Sequence, residues 1–433
     1  MRNAVCAFGL MLCCVGSVTA HARDTGPAVT RLDATMERWM PDIVRDERIG
    51  GIGIVVVRDG AIVWSGHYGE QSPGVPVTEN TAFNTASIAK TVTAETLLAL
   101  AAQGRIDLDE PIAAYVKSPD IDQDPRYRLL TTRILLSHRS GLRNWPDDYP
   151  DGKLAFDWAP GTRYRYSGAG IELAARYAQT KTGKVLRALA SEMLLRPWNI
   201  DRMAIAELPA WTQSNLALPV DSGGKYLDPA TIYPGLREGT GIGAAYDLVT
   251  TTDGYGRFLE RLIAASRKQS ATRRVRETIL TPLDGDERYG CEAVFTRRCP
   301  DRYGYAFGWQ VQLYGRHGVL QHTGNDEGQT DLVYFSPDRR TGAAIFVNGA
   351  NGWVAILRAL EIIGDEPELA DYYRGLIEKL LNRRLAPFAE LGAPQIVGKC
   401  APKLEHSRES QDFAPGPNRS RNGTEEASTD ALR

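Results

Sequence analysis

The sequence predicts a protein of the α+β class, in which an antiparallel sheet is flanked by helices and carries an inserted, mostly helical subdomain. Three regions support this prediction. A β-hairpin pattern near the start of the chain is followed by a long stretch of helices and loops, and several strand-like runs come near the end. Because these regions are segregated along the chain, we expect one sheet built from both ends. The insert would cover about residues 86–230.

Hydrophobic periodicity assigns the elements in order. Apolar residues at helical spacing predict a first helix over 28–46, and the apolar runs 52–57 and 61–68 predict the hairpin. The stretch around Ser87 predicts a helix that ends near Gly104, because glycine favours helix C-termini. Further helices are predicted over 171–180, 246–265, 354–363 and about 366–381, and strands over 307–313, 318–322, 329–335 and 343–348.

The two ends of the chain are expected to lie outside the main domain, which would span residues 23–365. Residues 366–400 are predicted as a helical extension. Residues 401–433 are predicted to be disordered, because they are rich in Ser, Arg, Glu, Asn and Pro and poor in aliphatic side chains.

The first 22 residues have the pattern of an export signal. Arg2 gives a positive start, residues 4–18 form a short apolar stretch, and Ala20-His21-Ala22 places small residues before a cleavage site. The apolar stretch is too short to span a bilayer comfortably, and no other stretch of the sequence approaches that length. We therefore expect a periplasmic or secreted protein, cleaved near Ala22 and without an integral membrane segment afterwards. The alternative for this segment is an apolar N-terminal helix packed on the core.

Composition and cysteine content narrow the possible partners. The chain has 433 residues, with 43% hydrophobic and 24% charged residues, as is ordinary for a soluble globular protein. The formal net charge of −2 gives no overall basic field, so a nucleic-acid partner is not expected. In an oxidising compartment Cys291 and Cys299 would close a small loop as a disulfide, leaving Cys400 unpaired. The ligands of a cysteine-based metal site do not accompany them in the sequence, so we expect no metal.

A serine and a lysine on the predicted helix are the first candidates for chemistry. Ser87 and Lys90 are three residues apart, which places their side chains on one helix face. A lysine in its neutral form can accept the serine proton and so activate the hydroxyl as a nucleophile. The pattern alone is also typical of solvated helices, so further residues must support it.

Two later stretches supply what such a nucleophile needs. Tyr166-Ser167-Gly168 offers a second proton acceptor, and His322-Thr323-Gly324 lies on a predicted strand that would bind the substrate and complete an oxyanion hole. Glycine on that strand lets a substrate backbone approach closely.

With these motifs in this order, the chain resembles the serine β-lactamase and penicillin-binding superfamily. The similarity is strongest to the branch that contains class C β-lactamases, D-Ala-D-Ala carboxypeptidases, D-aminopeptidases and related esterases. It covers about residues 30–365, and blocks at 135–142, 160–167, 241–248 and 304–309 support it. The resemblance implies the β-lactamase/transpeptidase-like fold and a serine hydrolase that uses no cofactor.

The resemblance also implies a role for each motif residue. Ser87 would be the acylated nucleophile, and Lys90 and Tyr166 would share the role of proton acceptor. The backbone N–H groups of Ser87 and Asn325 would hold the oxyanion. Thr323, followed by Gly324, would hydrogen-bond a substrate carboxylate or carbonyl.

Two positions depart from the common pattern of the superfamily. His322 replaces the lysine of many β-lactamases, although histidine also occurs there in carboxypeptidase and aminopeptidase relatives. Gly168 replaces an asparagine that relatives with amide substrates carry, whose side chain would help bind the substrate amide and steady the lysine. Losing such a group can cost on the order of 1–3 kcal/mol when a partner is left unpaired. Acyl transfer is therefore better supported than β-lactam or D-Ala-D-Ala specificity.

Other motif-like residues favour structural roles. Lys181-Thr182-Gly183 matches the third motif by letter, but it ends a predicted helix and no predicted strand surrounds it. The segment 221–224 is typical of a turn. His138 is expected to be a hydrogen-bonded histidine that braces the loop after its helix, and Trp309 is expected to pack in the core.

The sequence thus predicts an exported serine hydrolase that acts through a Ser87 acyl-enzyme on an amide, a β-lactam or an ester. The expected partner is a small-molecule or peptidoglycan-like acyl substrate. Two alternatives stay open. One is an esterase or D-aminopeptidase of the same fold, and the other is a non-catalytic, penicillin-binding-like sensor or partner module.

Overall fold

The computed structural model describes residues 26–228, 243–283, 299–386 and 388. In this part of the chain the α-helices are, in chain order, α1 Pro27–Asp46, α2 Ala89–Ala102, α3 Thr132–Leu136, α4 Gly168–Thr182, α5 Leu186–Ala190, α6 Thr252–Ser266, α7 Ala271–Glu277, α8 Gly352–Ile363 and α9 Pro367–Leu381. The strands are β1 Gly51–Arg58, β2 Ala61–Ser72, β3 Val75–Pro76, β4 Phe83–Asn84, β5 Met203–Ile205, β6 Leu248–Thr250, β7 Thr281–Pro282, β8 Arg302–Tyr305, β9 Gln310–Tyr314, β10 His317–Asp326, β11 Gln329–Ser336 and β12 Thr341–Val347.

The main sheet is antiparallel and joins both ends of the chain. Its nine strands run in the order β3-β2-β1-β12-β11-β10-β9-β8-β7. The N-terminal hairpin enters this sheet through β1, which pairs with β12 in a register that sets Ile52 opposite Val347. The sequence-based prediction of an antiparallel sheet from both ends is therefore confirmed.

Strand β1 is buried on both faces, which explains its unbroken apolar sequence. Ile52, Ile54 and Val56 point into a core formed with α1, α8 and α9. The alternate residues Val55 and Val57 point into the second core, which also contains residues of α2 and α6. Since side chains alternate between the faces of a strand, helices cover both sides of the sheet and form two hydrophobic cores.

The structure corrects two element assignments. The helix predicted to start at 246 begins at Thr252, because Leu248–Thr250 forms strand β6 of a small second sheet with the order β4-β6-β5. The Thr251 side chain caps this helix by accepting a hydrogen bond from the Gly254 N–H. The strand predicted over 307–313 is also wrong in its first residues, since β9 starts at Gln310, and strand β8 was not predicted.

A polar network attaches α9 to the sheet. Glu366, which precedes α9, accepts hydrogen bonds from Arg339, from Thr341 and, at 2.7 Å, from the His317 ring. Helix α9 itself lies within the predicted extension over 366–400, and its observed end at Leu381 matches the prediction. Within the described residues, the helices are too short or too polar to span a membrane.

Several predictions fall on residues that the structure does not describe. They include the proposed export signal over 1–22, the tail over 401–433 and the boundary of the insert near 230. The structure therefore does not test these predictions.

Candidate active site

The candidate nucleophile is presented by a sharp turn between a strand and a helix. Strand β4 ends at Asn84, whose side-chain oxygen accepts a hydrogen bond of 3.1 Å from the Ala86 N–H. Ala86 has φ of +43°, in the left-handed region that non-glycine residues avoid. Ala86, Ser87 and Ile88 form a 3-10 turn and α2 begins at Ala89, so the strained residue stands directly before the nucleophile at the start of the helix.

Lys90 is buried against Ser87. Its Nζ lies 3.0 Å from Ser87 Oγ and donates a hydrogen bond of 2.8 Å to the carbonyl oxygen of Ala245. Only 1% of Lys90 is exposed, and this burial lowers its pKa to about 7. A substantial fraction of Lys90 is therefore a neutral amine near neutral pH, and a neutral amine can accept a proton.

Tyr166 closes the other side of Ser87. Its ring lies 4.8 Å from Lys90 Nζ, measured to the ring centroid. Burial raises the pKa of the Tyr166 hydroxyl group, and a hydrogen bond with the Ser87 side chain offsets part of that rise. The structure thus brings together the serine, lysine and tyrosine that the sequence selected.

The third motif lies on strand β10, next to the nucleophile turn. His322 pairs with Val333 of β11, and Gly324 pairs with Asp331. A Cβ atom at Gly324 would collide with the carbonyl oxygen of Thr85, so the strand can approach the turn this closely only because residue 324 is glycine. Thr323 and Asn325 continue the strand with partners Leu332 and Thr330.

His322 is a neutral imidazole with both ring nitrogens engaged. Its Nδ1 lies 2.7 Å from the Thr323 carbonyl oxygen, which can only accept, so Nδ1 carries the hydrogen atom. Its Nε2 then accepts from the Tyr305 hydroxyl group at 2.7 Å. Burial and the charge of Lys90 lower the pKa of His322 to about 3. Unlike a lysine at this position, His322 brings no positive charge to a substrate.

Known proteins share this combination of motifs and fold. The sequence model of the family described as "Beta-lactamase" matches residues 34–363. The chain belongs to the beta-lactamase family. It is 23% identical to the D-alanyl-D-alanine-carboxypeptidase/endopeptidase AmpH of Escherichia coli strain K12 over 377 residues, which cover 78% of this chain and 90% of that protein. It is 27% identical to esterase EstB of Burkholderia gladioli over 209 residues, which cover 41% of this chain and 52% of that protein.

Solved structures show the same fold as this beta-lactamase family member. The octameric penicillin-binding protein homologue from Pyrococcus abyssi matches with a TM-score of 0.62 and 19% identity, over 81% of each chain. At that identity the likeness establishes the fold alone. The predicted β-lactamase/transpeptidase-like fold is therefore confirmed, and the family together with its carboxypeptidase and esterase relatives supports a serine hydrolase of this fold.

The space next to Gly168 is filled by a tryptophan. A Cβ atom at Gly168 would collide with the indole ring of Trp145, so an asparagine could not stand at residue 168 without displacing that ring. Trp145 also packs edge-to-face on Tyr246, with ring centroids 5.4 Å apart. Trp145 and Tyr246 thus form an aromatic wall beside residue 168, at the position where the resemblance leads us to expect an asparagine side chain.

Glu172 is a site residue that the sequence analysis did not select. Its Oε1 accepts a hydrogen bond of 2.9 Å from the N–H of Ala245, the residue whose carbonyl oxygen binds Lys90. Burial raises the pKa of Glu172 to about 7, while its negative charge opposes the lowering of the Lys90 pKa. Glu172 stands on α4, six positions after Tyr166, and only the fold shows that it faces the lysine.

His138 packs directly against residues of the candidate active site. Its Nδ1 accepts a hydrogen bond of 3.1 Å from the Ser167 N–H, so the ring hydrogen lies on Nε2, a buried atom without a hydrogen-bond partner among the described residues. The ring centroids of Tyr166 and Tyr305 both lie 4.4 Å from that of His138. His138 braces the loop as expected, but only one of its two ring nitrogens has a hydrogen-bond partner among the described residues. Its ring also packs directly against that of Tyr166.

The remaining candidates lie away from the site or outside the described residues. Lys181 lies in the last turn of α4 and pairs with Glu110. Gly183 caps that helix with φ of +69°, as expected for a helix terminus. Trp309 is fully buried and donates a hydrogen bond to Glu95, which confirms its place in the core. Cys299 is half-buried, but its predicted partner Cys291 is not described, so the disulfide stays a prediction.

Proposed function

We propose that this protein is an exported serine hydrolase that cleaves its substrate through an acyl-enzyme on Ser87. The observation that carries the proposal is the buried contact of 3.0 Å between Lys90 Nζ and Ser87 Oγ. The pKa of Lys90, lowered to about 7 by burial, supports a role as general base, because a base works best when its pKa is near the working pH. Export is proposed from the pattern of residues 1–22 alone.

In the proposed reaction, Lys90 accepts the Ser87 hydroxyl proton while Oγ bonds to the acyl carbon of the substrate. Backbone N–H groups of Ser87 and Asn325 hold the oxyanion, and Thr323 positions the substrate. Collapse of this intermediate breaks the bond to the leaving group, which receives the proton from Lys90 by way of Tyr166. A water molecule that loses its proton to the same pair then attacks the acyl carbon, and Ser87 Oγ leaves with that proton.

The proposed substrate is an ester or amide of a carboxylic acid, and the aromatic wall favours an ester. Trp145 occupies the space that an asparagine side chain at residue 168 would need, so residue 168 offers a substrate amide no hydrogen-bonding side chain. A leaving alkoxide also needs less help than a leaving amine. An esterase is therefore the first substrate class to test, and a D-Ala-D-Ala peptide, a D-amino acid amide or a β-lactam is the second.

Intact-mass spectrometry tests the acyl-enzyme. The protein is mixed with p-nitrophenyl acetate or with a fluorescent penicillin, quenched in acid and weighed. We expect rapid release of p-nitrophenol and a transient mass increase of one acetyl group that maps to Ser87. A stable penicillin adduct without turnover of any ester would instead indicate a sensor, and an unmodified protein would indicate a partner module.

Two variants distinguish the proposed site from surface reactivity. Ser87→Ala should abolish both the adduct and turnover, and Lys90→Ala should slow acylation by at least about a hundredfold, the usual contribution of a general base. Ser191→Ala lies outside the site and should behave as the wild type. Turnover by Ser87→Ala, or a wild-type acylation rate in Lys90→Ala, would refute the assignment.

A further inference from the structure

A cavity of about 480 Å³ lies beside the candidate active site. It is walled by Arg139 from the loop after α3, by Trp158, Arg163 and Tyr164 from the segment that leads to Tyr166, and by strand β7. We call it the arginine cavity. None of its residues has a role in the reaction proposed above.

The two arginines of this cavity lack acidic partners within the described parts of the chain. Arg139 donates from Nε to the Ser137 hydroxyl group at 3.0 Å, and Arg163 lies over the ring of Trp158, 5.7 Å from its centroid. Burial and the nearby charge of Arg133 lower the pKa of Arg139. Arg133 itself forms an ion pair with Asp109 at 2.7 Å, so it does not need another anion.

Trp158, in the wall of this cavity, adds an indole N–H group that can donate a hydrogen bond. Its indole Nε1 is buried, and among the described residues it has no hydrogen-bond partner. A buried N–H group without an acceptor is rare in folded proteins and calls for a ligand or an ordered water molecule. Apart from the bond of Arg139 Nε to Ser137, these two guanidinium groups and the indole N–H have no hydrogen-bond acceptor among the described residues. Carboxylates and phosphates are the acceptors that arginine prefers.

The arginine cavity borders residues that pack around the candidate active site. Tyr164 forms part of its wall, and Arg139 directly follows His138, whose ring centroid lies 4.4 Å from that of Tyr166. The Tyr164 ring centroid lies 6.2 Å from that of Tyr305, whose hydroxyl group binds His322. Because His322 is neutral, the third motif offers no histidine cation to a substrate anion. Arg139 and Arg163, which have no ion pair among the described residues, supply positive charge beside the site instead.

We propose that the arginine cavity binds a carboxylate group carried by the substrate that acylates Ser87. Arg139 and Arg163 hold this carboxylate, and the Trp158 N–H group donates a further hydrogen bond. The inference rests on the proposed function, since it concerns the substrate of the same site. It assigns the substrate class as an acyl compound with an anionic group remote from the scissile bond, such as a dicarboxylic half-ester or an acidic peptide.

A pair of ester series tests the proposal. Mono-p-nitrophenyl esters of glutaric, adipic and suberic acid are compared with methyl-capped esters of the same lengths. We expect the wild-type protein to prefer the free acid of the best length by at least tenfold in kcat/KM. Arg139→Gln and Arg163→Gln should each reduce this ratio towards one, whereas Arg133→Gln, which removes the same charge from a paired arginine, should retain it. An unchanged ratio in both cavity variants would overturn the proposal.

A binding experiment separates this inference from the proposed reaction. Glutarate and inorganic phosphate are titrated into the Ser87→Ala protein by calorimetry, with and without Arg139→Gln. Loss of glutarate binding in the cavity variant supports the site even if no ester is hydrolysed, in which case only the proposed function fails. Phosphate binding equal to that of glutarate, with no preference for the acidic esters, would indicate a free-anion site and overturn the substrate assignment.

Discussion

Lowering the pH below 7 should slow the acylation of Ser87, because it protonates Lys90. The amine is buried, its pKa is lowered to about 7, and its Nζ stands 3.0 Å from Ser87 Oγ. With that pKa, about half of the protein holds the neutral amine at pH 7 and about one chain in a hundred holds it at pH 5. If the neutral amine is the base, kcat/KM should fall about fiftyfold between these pH values and rise about twofold above pH 7.

The assay follows p-nitrophenol release from a neutral ester at its isosbestic wavelength, between pH 5 and pH 9 at constant ionic strength. The parameter kcat/KM is used because it reports the ionisation of the free enzyme. Circular dichroism at each pH shows that the protein stays folded. A rate that is flat from pH 5 to pH 8 would refute the reasoning, because a lysine with a pKa of about 7 could then not be the proton acceptor.

Glu172→Gln should move this pH profile to lower pH. The Glu172 carboxylate raises the pKa of Lys90, so its removal makes the lysine easier to deprotonate. A residue that only held the Ala245 peptide in place would lower kcat/KM at every pH and leave the midpoint where it was. Glu110→Gln, which removes a carboxylate paired with the distant Lys181, is the matched control and should leave the midpoint unchanged.

Three further predictions concern the scaffold. A Cβ atom in Gly324→Ala would push β10 away from Thr85. The free energy of unfolding should therefore fall by about 1–3 kcal/mol and the acylation rate at least a hundredfold, and burst kinetics like those of the wild type would contradict this. Arg276 binds the buried Glu95 carboxylate at 2.5 and 2.6 Å, so Arg276→Ala leaves that carboxylate without its counter-charge. The free energy of unfolding in urea should fall by about 3–5 kcal/mol, and a fall of less than about 1 kcal/mol would argue against a role for the pair. The carboxylates of Glu366 and Asp338 raise the pKa of His317, so its stabilising effect should be present below the ordinary histidine pKa and disappear as the pH rises through the raised value. The stability difference between wild type and His317→Gln should therefore shrink from pH 6 to pH 8, and a constant difference would contradict the assignment.

Glycine at residue 168, where the motif usually has asparagine, illustrates how a departure from a motif can be compensated. The sequence shows the loss of a polar side chain that would have steadied the lysine. The structure shows that Trp145 takes the vacated space, while Glu172 reaches the Lys90 environment through the Ala245 peptide. Trp145 lies 23 residues before Gly168, and Glu172 acts through Ala245, which lies 73 residues after it, so neither contact follows from the motif itself.

The wrong start of the helix predicted over 246–265 has a physical cause. Leu248–Thr250 looks like the start of an amphipathic helix, yet it pairs with β4 and β5 and becomes a strand. Short strands in the middle of helical regions are stabilised by their partners rather than by their own residues, and those partners are distant in sequence. Helix α6 after Thr251, by contrast, has a local cap and a clear apolar face, and its body was predicted correctly.

By itself, the sequence determined the α+β class, the two-ended sheet and the selection of Ser87, Lys90, Tyr166 and the His322 strand, because periodicity and short motifs are local properties of the chain. Only the tertiary structure decided the chemical state of these groups. The lowered pKa values of Lys90 and His322 and the position of Glu172 depend on burial and on charges from other segments. The same holds for the arginines beside Tyr164, which form no ion pair within the described ranges. Desolvation and Coulomb interactions act through space, so they are fixed when the distant segments meet and not before.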